Sequence, residues 1–241
     1  MSWHQTVRRV LHGAAWLGNH QPVILVSALV VVAGTWGFVE LADEVNEGST
    51  AAIDEAVVRS LRDPANPGDP LGPGWVEEAM RDITGLGGVV VVAMVVVGTT
   101  GFLWLEGKTR TLVWLLAATL GGAAISQLLK GHFDRPRPSV VPHLAQVYTS
   151  SFPSGHAMLS AVVYLTLGAL LTRVVSRRLV KLYLMLIAFL LTGMIGFSRV
   201  YLGVHYPTDV LAGWTAGLVW ATLCWIASQQ LARQGTIEPE E

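Results

Sequence analysis

The stretch LGGVVVVAMVVVGTTGFLWL, residues 86–105, runs for twenty positions without one charged side chain. Its valine blocks, Val89–Val92 and Val95–Val97, would suit a buried strand in a soluble protein. It is too long for that. It does match the roughly 20 apolar residues a helix needs to cross a hydrocarbon core about 30 Å thick. Five further stretches have the same character: Pro22–Ala42, Thr111–Lys130, Ser154–Arg173, Val180–Ser198 and Thr208–Gln229. Composition agrees. The chain of 241 residues is 52% hydrophobic and only 14% charged, where soluble domains carry about 25% charge. The sequence therefore predicts an all-α polytopic membrane protein with six transmembrane helices, the whole chain 1–241 forming one membrane domain.

The first apolar run starts too late for a secretory leader and lacks a small-residue cleavage site, so it reads as an uncleaved span. Before it, in segment 1–21, Trp3, Val7, Val10, Leu11 and Ala14 recur at helical spacing beside Arg8 and Arg9, which suits a helix in the membrane interface. Gly121 and Gly122 would let neighbouring helices approach closely. The single cysteine, Cys224, lies in an apolar run and reads as a small packing residue. A net charge of −1 with no basic patch predicts no nucleic-acid partner. It leaves the lipid bilayer as the expected environment and the oligomeric state open.

Basic residues in the short connections set an orientation. Arg8 and Arg9, Lys108 and Arg110, and Arg173, Arg177, Arg178 and Lys181 all fall on one side, expected to be the cytoplasm. The tail 230–241, with Arg233, Glu238, Glu240 and Glu241, follows on that side. Both termini are then cytoplasmic in a multi-pass inner (cell) membrane protein. On the opposite side lies the loop 43–85. There Ile53, Val57, Val58 and Leu61, then Val76, Met80 and Ile83, show helical periods around the turn signal Asp63–Pro70. These predict two short amphipathic helices at the outer membrane face, bordering a lipid's access route or covering the site. Glu40, Asp43 and Glu44 should be hydrated.

Basic residues also appear on that outer side, against the general bias, and an anion site would explain them. Three segments carry it: KGHFDRPRP (130–138), SFPSGH (151–156) and SRVYLGVHYPTD (198–209). Lys130, Arg137 and Arg199 are cations at helix ends. Arginine forks match phosphate oxygens, and lysine acts as a point charge. Ser154 and Gly155 open the fourth span, where free N–H groups and the positive end of the helix dipole suit an anion. Ser154 can cap the helix and donate its hydroxyl, and Gly155 lets the backbone come close. His205 and Asp209 are four residues apart, so a carboxylate can hold one imidazole nitrogen while the other attacks phosphorus. Pro207 suits the first helical turn. His156, from another span, can protonate the leaving oxygen.

The ordered pattern Lys-x6-Arg-Pro, Pro-Ser-Gly-His and Ser-Arg-x5-His-x3-Asp, met at Lys130, Arg137, Pro138, Pro153, Ser154, Gly155, His156, Ser198, Arg199, His205 and Asp209, resembles the three-part signature of the type 2 phosphatidic acid phosphatase (PAP2) superfamily. The resemblance implies a phosphohistidine on His205. It implies that His156 acts as acid and then base, that Asp209 orients His205, and that Lys130, Arg137, Ser154, Gly155 and Arg199 hold phosphate. It implies no cofactor and no metal, and the motifs supply cations rather than the carboxylate clusters that hold Mg²⁺. The expected activity is metal-independent hydrolysis of a lipid phosphomonoester or diphosphate, with the catalytic segments 130–209 facing the outside. The substrate is expected to be undecaprenyl diphosphate, phosphatidic acid or phosphatidylglycerol phosphate. The small single-domain design and outward site lean toward the polyprenyl carrier. The alternatives are a lipid phosphotransferase using the same residues, or an inactive transporter or scaffold. Arg135 is not a fixed motif position, and its contact with substrate is left open. His4, His12, His20, His132 and His143 show no ligand spacing, and Tyr201 and Tyr206 read as interface anchors.

Overall fold

The computed structural model describes residues 3–234, and side chains from Val23 to Ala232. The side chains of the expected N-terminal interfacial helix, and the acidic residues Glu238, Glu240 and Glu241, lie outside the described residues. The elements are α1 (Trp3–Glu47), α2 (Ala51–Ser60), β1 (Arg62–Asp63), β2 (Asn66–Pro70), α3 (Gly74–Gly85), α4 (Val89–Leu105), α5 (Thr109–His132), α6 (Gly155–Leu171), α7 (Arg178–Tyr201) and α8 (Pro207–Arg233).

Each expected apolar stretch carries a helix. By length and composition α1, α5, α7 and α8 can each cross a bilayer, and α3 with α4, bent by 48°, would make a fifth span. The expected six also requires α6, which has 17 residues and rises only about 26 Å at 1.5 Å per residue. α1 runs on to Glu47, past the expected end at Ala42. The apolar run stops there but the helix does not; Asp43 and Glu44 on the extension, and Glu40 just before it, are exposed.

The bundle is apolar on the outside. Leu25, Leu29, Val32 and Trp36 of α1, and Val89, Val90, Val97 and Leu105 of α4, are all exposed. Left in water, each would forgo about 1.5–3 kcal/mol of burial. Eight of them together rival the 5–15 kcal/mol stability of a typical domain. Lipid is the medium that removes this cost.

The centre of the bundle is α6, which packs against α4, α5, α7 and α8 and buries Ala157, Met158, Ala161, Val162 and Val163 almost completely. Its partnership with α8 depends on two glycines. A Cβ on Gly213 would stand 2.6 Å from the carbonyl oxygen of Ser154, and one on Gly217 would stand 2.6 Å from the Ala161 Cβ. Without side chains at those positions the two backbones meet directly, as small residues allow in membrane bundles. At its start α8 is tied to α6 again, because the Ser154 N–H donates to the Asp209 carbonyl at 2.9 Å.

The loop after α1 contains the two short helices expected. Their apolar faces turn to protein in part, while Ile53, Val57 and Trp75 are exposed. Val58, with Leu61, packs on Val141, Ala157, Val200 and Val210. Val76 and Met80 pack on Tyr201, Leu202 and Val204. Between the helices, β1 and β2 pair antiparallel, Arg62 opposite Pro70 and Asp63 opposite Asn66. The turn signal was legible there, but a strand reading Asn-Pro-Gly-Asp-Pro has no β-forming residue to announce it. Tyr201 also departs from expectation. It is 4% exposed and donates its hydroxyl to the Leu71 carbonyl at 2.8 Å, so it fastens this loop rather than anchoring an interface.

Candidate active site

The three motif segments meet at one end of the bundle. Lys130 comes from the last turn of α5, Arg137 from the following loop, Ser154 to His156 from the start of α6, Arg199 from the last turns of α7, His205 from the α7–α8 loop and Asp209 from the first turn of α8. Gly203 turns that loop with φ of +71°, a conformation glycine takes without strain. His205 is 1% exposed and Asp209 is fully buried.

The imidazole is fixed on both sides. Nδ1 lies 3.5 Å from Asp209 Oδ2 and 3.4 Å from Ser151 Oγ. Nε2 lies 3.2 Å from Arg137 Nη1. A guanidinium can only donate, so Nε2 accepts and the ring proton sits on Nδ1, toward Asp209. His205 thus presents a lone pair on Nε2. Burial, reinforced by the Arg137 and Arg199 charges, outweighs the pull of Asp209 and pushes this histidine from 6.5 down to about 3. It is neutral at any ordinary pH. His205 itself precedes α8; it reaches Asp209 from the loop, not from a helical turn.

Asp209 sits at the third position of α8. Its Oδ2 accepts from the Tyr206 N–H at 2.8 Å and from the Ser151 hydroxyl at 2.5 Å, and its Oδ1 accepts from Arg135 Nη1 at 2.6 Å. Pro207 occupies the first turn of the helix as expected.

The cations around Nε2 are held by neutral groups. Lys130 Nζ donates to the Ser150 carbonyl at 2.9 Å. Arg137 donates through Nε to the Thr149 carbonyl at 2.8 Å and through Nη1 to the Val204 carbonyl at 2.6 Å. Arg199, 4% exposed, donates through Nη1 to Thr84 Oγ1 at 2.9 Å, while its Nε–H is buried with no partner. Among the described residues none of the three pairs with a carboxylate. Such uncompensated charge is costly inside a protein unless an anion completes it. Ser154 caps α6, its Oγ accepting from the Ala157 N–H at 3.5 Å. A Cβ on Gly155 would press on the Lys130 stem at 3.0 Å. His156 is half-buried and lies within electrostatic reach of Arg199, His205, Lys130 and Arg137. No group of three or more His, Cys, Asp or Glu among the described residues is placed to hold a metal ion.

Four residues here carried no signal in the sequence. Ser151 stands beside a motif without belonging to it. Thr84 and Asp54 come from α3 and α2, 115 residues from Arg199 and 81 and 154 residues from Arg135 and Thr208 respectively. Arg135, left open above, is fully engaged by carboxylates: Nη2 meets Asp54 at 2.8 Å, Nη1 meets Asp209 at 2.6 Å, and the guanidinium lies over the Tyr206 ring. His143 and His132 are exposed and lie outside the cluster.

A sequence model of the PAP2 superfamily matches residues 111–233, which include all three motifs. Phosphatidylglycerophosphatase B of Bacillus subtilis (strain 168) is 31% identical over 190 residues, covering 76% of this chain and 86% of that protein. The chain belongs to the PAP2 superfamily. An undecaprenyl-diphosphatase of Sulfolobus acidocaldarius is 29% identical over 140 residues, covering 56% of this chain and 59% of that protein. Among solved structures, the transmembrane PAP2-type phosphatidylglycerolphosphate phosphatase of Bacillus subtilis superimposes with a TM-score of 0.73 at 27% identity, covering 84% of this chain and 98% of that one. The PAP2 match begins after α4, so Asp54 and Thr84 reach the motif residues from outside it.

Proposed function

We propose that this PAP2 chain is a membrane lipid phosphatase that transfers the terminal phosphoryl group of a lipid to Nε2 of His205 and then to water. The observation that carries this is the buried His205 ring, its Nδ1 3.5 Å from Asp209 and its Nε2 faced by Arg137 at 3.2 Å, in a cluster of cations without carboxylate partners.

The first step breaks the P–O bond to the lipid as the Nε2 lone pair forms the P–N bond. His156 gives its proton to the leaving oxygen. Lys130, Arg137 and Arg199, with the α6 N-terminus at Ser154 and Gly155, take the charge spread over the equatorial oxygens. The orphaned Arg199 Nε–H is a donor that such an oxygen would satisfy. Asp209 keeps the proton on Nδ1 and balances the charge gained by the phosphorylated ring. Water then attacks phosphorus, His156 takes its proton, the P–N bond breaks, and inorganic phosphate leaves. A lipid hydroxyl in place of water would make the same residues a phosphotransferase.

Relatives named for phosphatidylglycerophosphate and for undecaprenyl diphosphate both align, which supports recognition of the terminal phosphate they share. The phosphatidylglycerophosphatase match extends over more of both chains and favours phosphatidylglycerol phosphate, against the lean drawn from the small single-domain design and outward site. We read α4 and α6 as spans, giving six. The even count puts both termini on one side. The cations at Lys108, Arg110, Arg177, Arg178 and Lys181 assign that side to the cytoplasm and the site to the outside. The test is phosphate release by detergent-solubilised protein in EDTA, with phosphatidylglycerol phosphate, phosphatidic acid and undecaprenyl diphosphate compared in one assay. Release should persist in EDTA and be fastest on phosphatidylglycerol phosphate; no release from any of the three would overturn the proposal.

The state of His205 can be checked separately. With a pKa lowered from 6.5 to about 3, the ring stays neutral as pH falls through the usual histidine range. Imidazole ¹⁵N signals, assigned by comparison with His205→Ala, should show a neutral Nδ1–H tautomer down to about pH 5. A titration centred near 6.5 would contradict this reading.

A further inference from the structure

We infer that Asp54, on the first extracytoplasmic loop, is a positioning residue of the catalytic centre, acting through Arg135 to keep Asp209 negative toward His205. This rests on the phosphatase reading above.

Asp54 is fully buried on an otherwise amphipathic ten-residue helix. Both carboxylate oxygens are used, and every partner belongs to the site's framework. Oδ1 accepts from the Thr208 N–H at 3.1 Å. Oδ2 accepts from Thr208 Oγ1 at 2.6 Å and from Arg135 Nη2 at 2.8 Å. Arg135 continues through Nη1 to Thr208 Oγ1 at 2.9 Å and to Asp209 Oδ1 at 2.6 Å. The order is carboxylate, guanidinium, carboxylate, imidazole, from α2 to His205.

Charge counting gives the chain its purpose. Arg135 alone against Asp209 would make a neutral pair, and a neutral pair neither holds the Nδ1 proton strongly nor offsets a cationic phosphoimidazole. A second carboxylate on the other guanidinium nitrogen shares the positive charge and leaves the trio with a net −1. In a buried site that difference is only weakly screened. Packing alone does not require a carboxylate at this position. The apolar contacts of α2 come from Val58 and Leu61, and a neutral residue would seat the helix without bringing a charge out of water.

The charged and titratable groups facing His205 are Asp209 of α8, Arg137 of the α5–α6 loop, Arg199 of α7 and His156 of α6, with Lys130 of α5 acting on His156 behind them. Asp54 touches only the first of these, through Arg135. Its removal should therefore act on chemistry and leave phosphate binding alone.

The experiment uses the full chain in detergent with phosphatidylglycerol phosphate. It compares wild type, Asp54→Asn, Arg135→Gln and the double variant, with orthovanadate inhibition as the readout of anion binding. Asp54→Asn should lose on the order of 10–100-fold in kcat with KM and the vanadate inhibition constant within about threefold. The double variant, which removes the cation that now neutralises Asp209, should recover part of the lost kcat. A double variant slower than Asp54→Asn, or a loss seen in KM and vanadate binding, would overturn the inference and leave Asp54 a structural tie. So would normal kcat in Asp54→Asn. An inactive wild type that still binds vanadate would instead count against the phosphatase reading.

Discussion

Replacing His205 with alanine should abolish turnover, lowering phosphate release by on the order of ten thousandfold or more, because no other imidazole at the site has a carboxylate on Nδ1 to leave Nε2 free for phosphorus. His156 is not a substitute. It approaches from the opposite helix, with no carboxylate to hold a tautomer. The decisive measurement is rapid acid or alkaline quench with ³²P-labelled lipid. Wild type should accumulate label on protein as an acid-labile, alkali-stable phosphoramidate, and His205→Ala should accumulate none. Because His205 is 1% exposed, alanine also leaves a cavity, so His205→Gln serves as the better-filled companion and should be equally inactive. Labelled protein in either variant would move the nucleophile elsewhere.

Asp209→Asn should be nearly as damaging, about 10³–10⁴-fold in kcat, with KM changed only a few-fold. The carboxylate accepts from four donors: Tyr206 N–H, Ser151 Oγ, Arg135 Nη1 and, at longer range, His205 Nδ1. An amide has one acceptor oxygen and turns an N–H₂ toward donors on its other side. The ring then loses its reason to keep the proton on Nδ1, and Nε2 loses its lone pair in the other tautomer. Lys130, Arg137 and Arg199 do not contact Asp209, so phosphate should still bind. A kcat within tenfold of wild type would remove Asp209 from the chemistry.

What could be read from sequence followed what is local in sequence. Six apolar runs announced helices, because crossing lipid imposes length and hydropathy together; four of them, or five with the bent α3–α4 pair, are long and apolar enough to cross. The three motifs announced His205, His156, Asp209 and the cations, because each lies within a few residues of its motif neighbours and the cations defied the charge bias of that side. Asp54, Thr84 and Ser151 stayed hidden for the opposite reason. Their meaning lies in partners such as Thr208 and Arg199, 154 and 115 positions away, and an aspartate in an amphipathic loop helix looks like any solvated acid. Arg135 could not be placed without Asp54. Tyr201 looked interfacial because aromatic residues at span ends usually are, and only the folded-back loop shows it covered. The hairpin β1–β2 is too short to show alternation.

The direct backbone contact of α6 with α8 at Gly213 and Gly217 has a mechanical consequence. Only the methyl groups of Ala157 and Ala161 lie between the backbones there, so the two helices have little room to slide or splay and move as one post, with His156 at the start of α6 and His205 in the loop leading into α8 at the same end. When the host bilayer thins or thickens, the mismatch has to be absorbed by tilting of α4, or by movement of the post as a unit together with α1, which packs on α8. The spacing between the two imidazoles is thereby insulated from the thickness of the lipid around them.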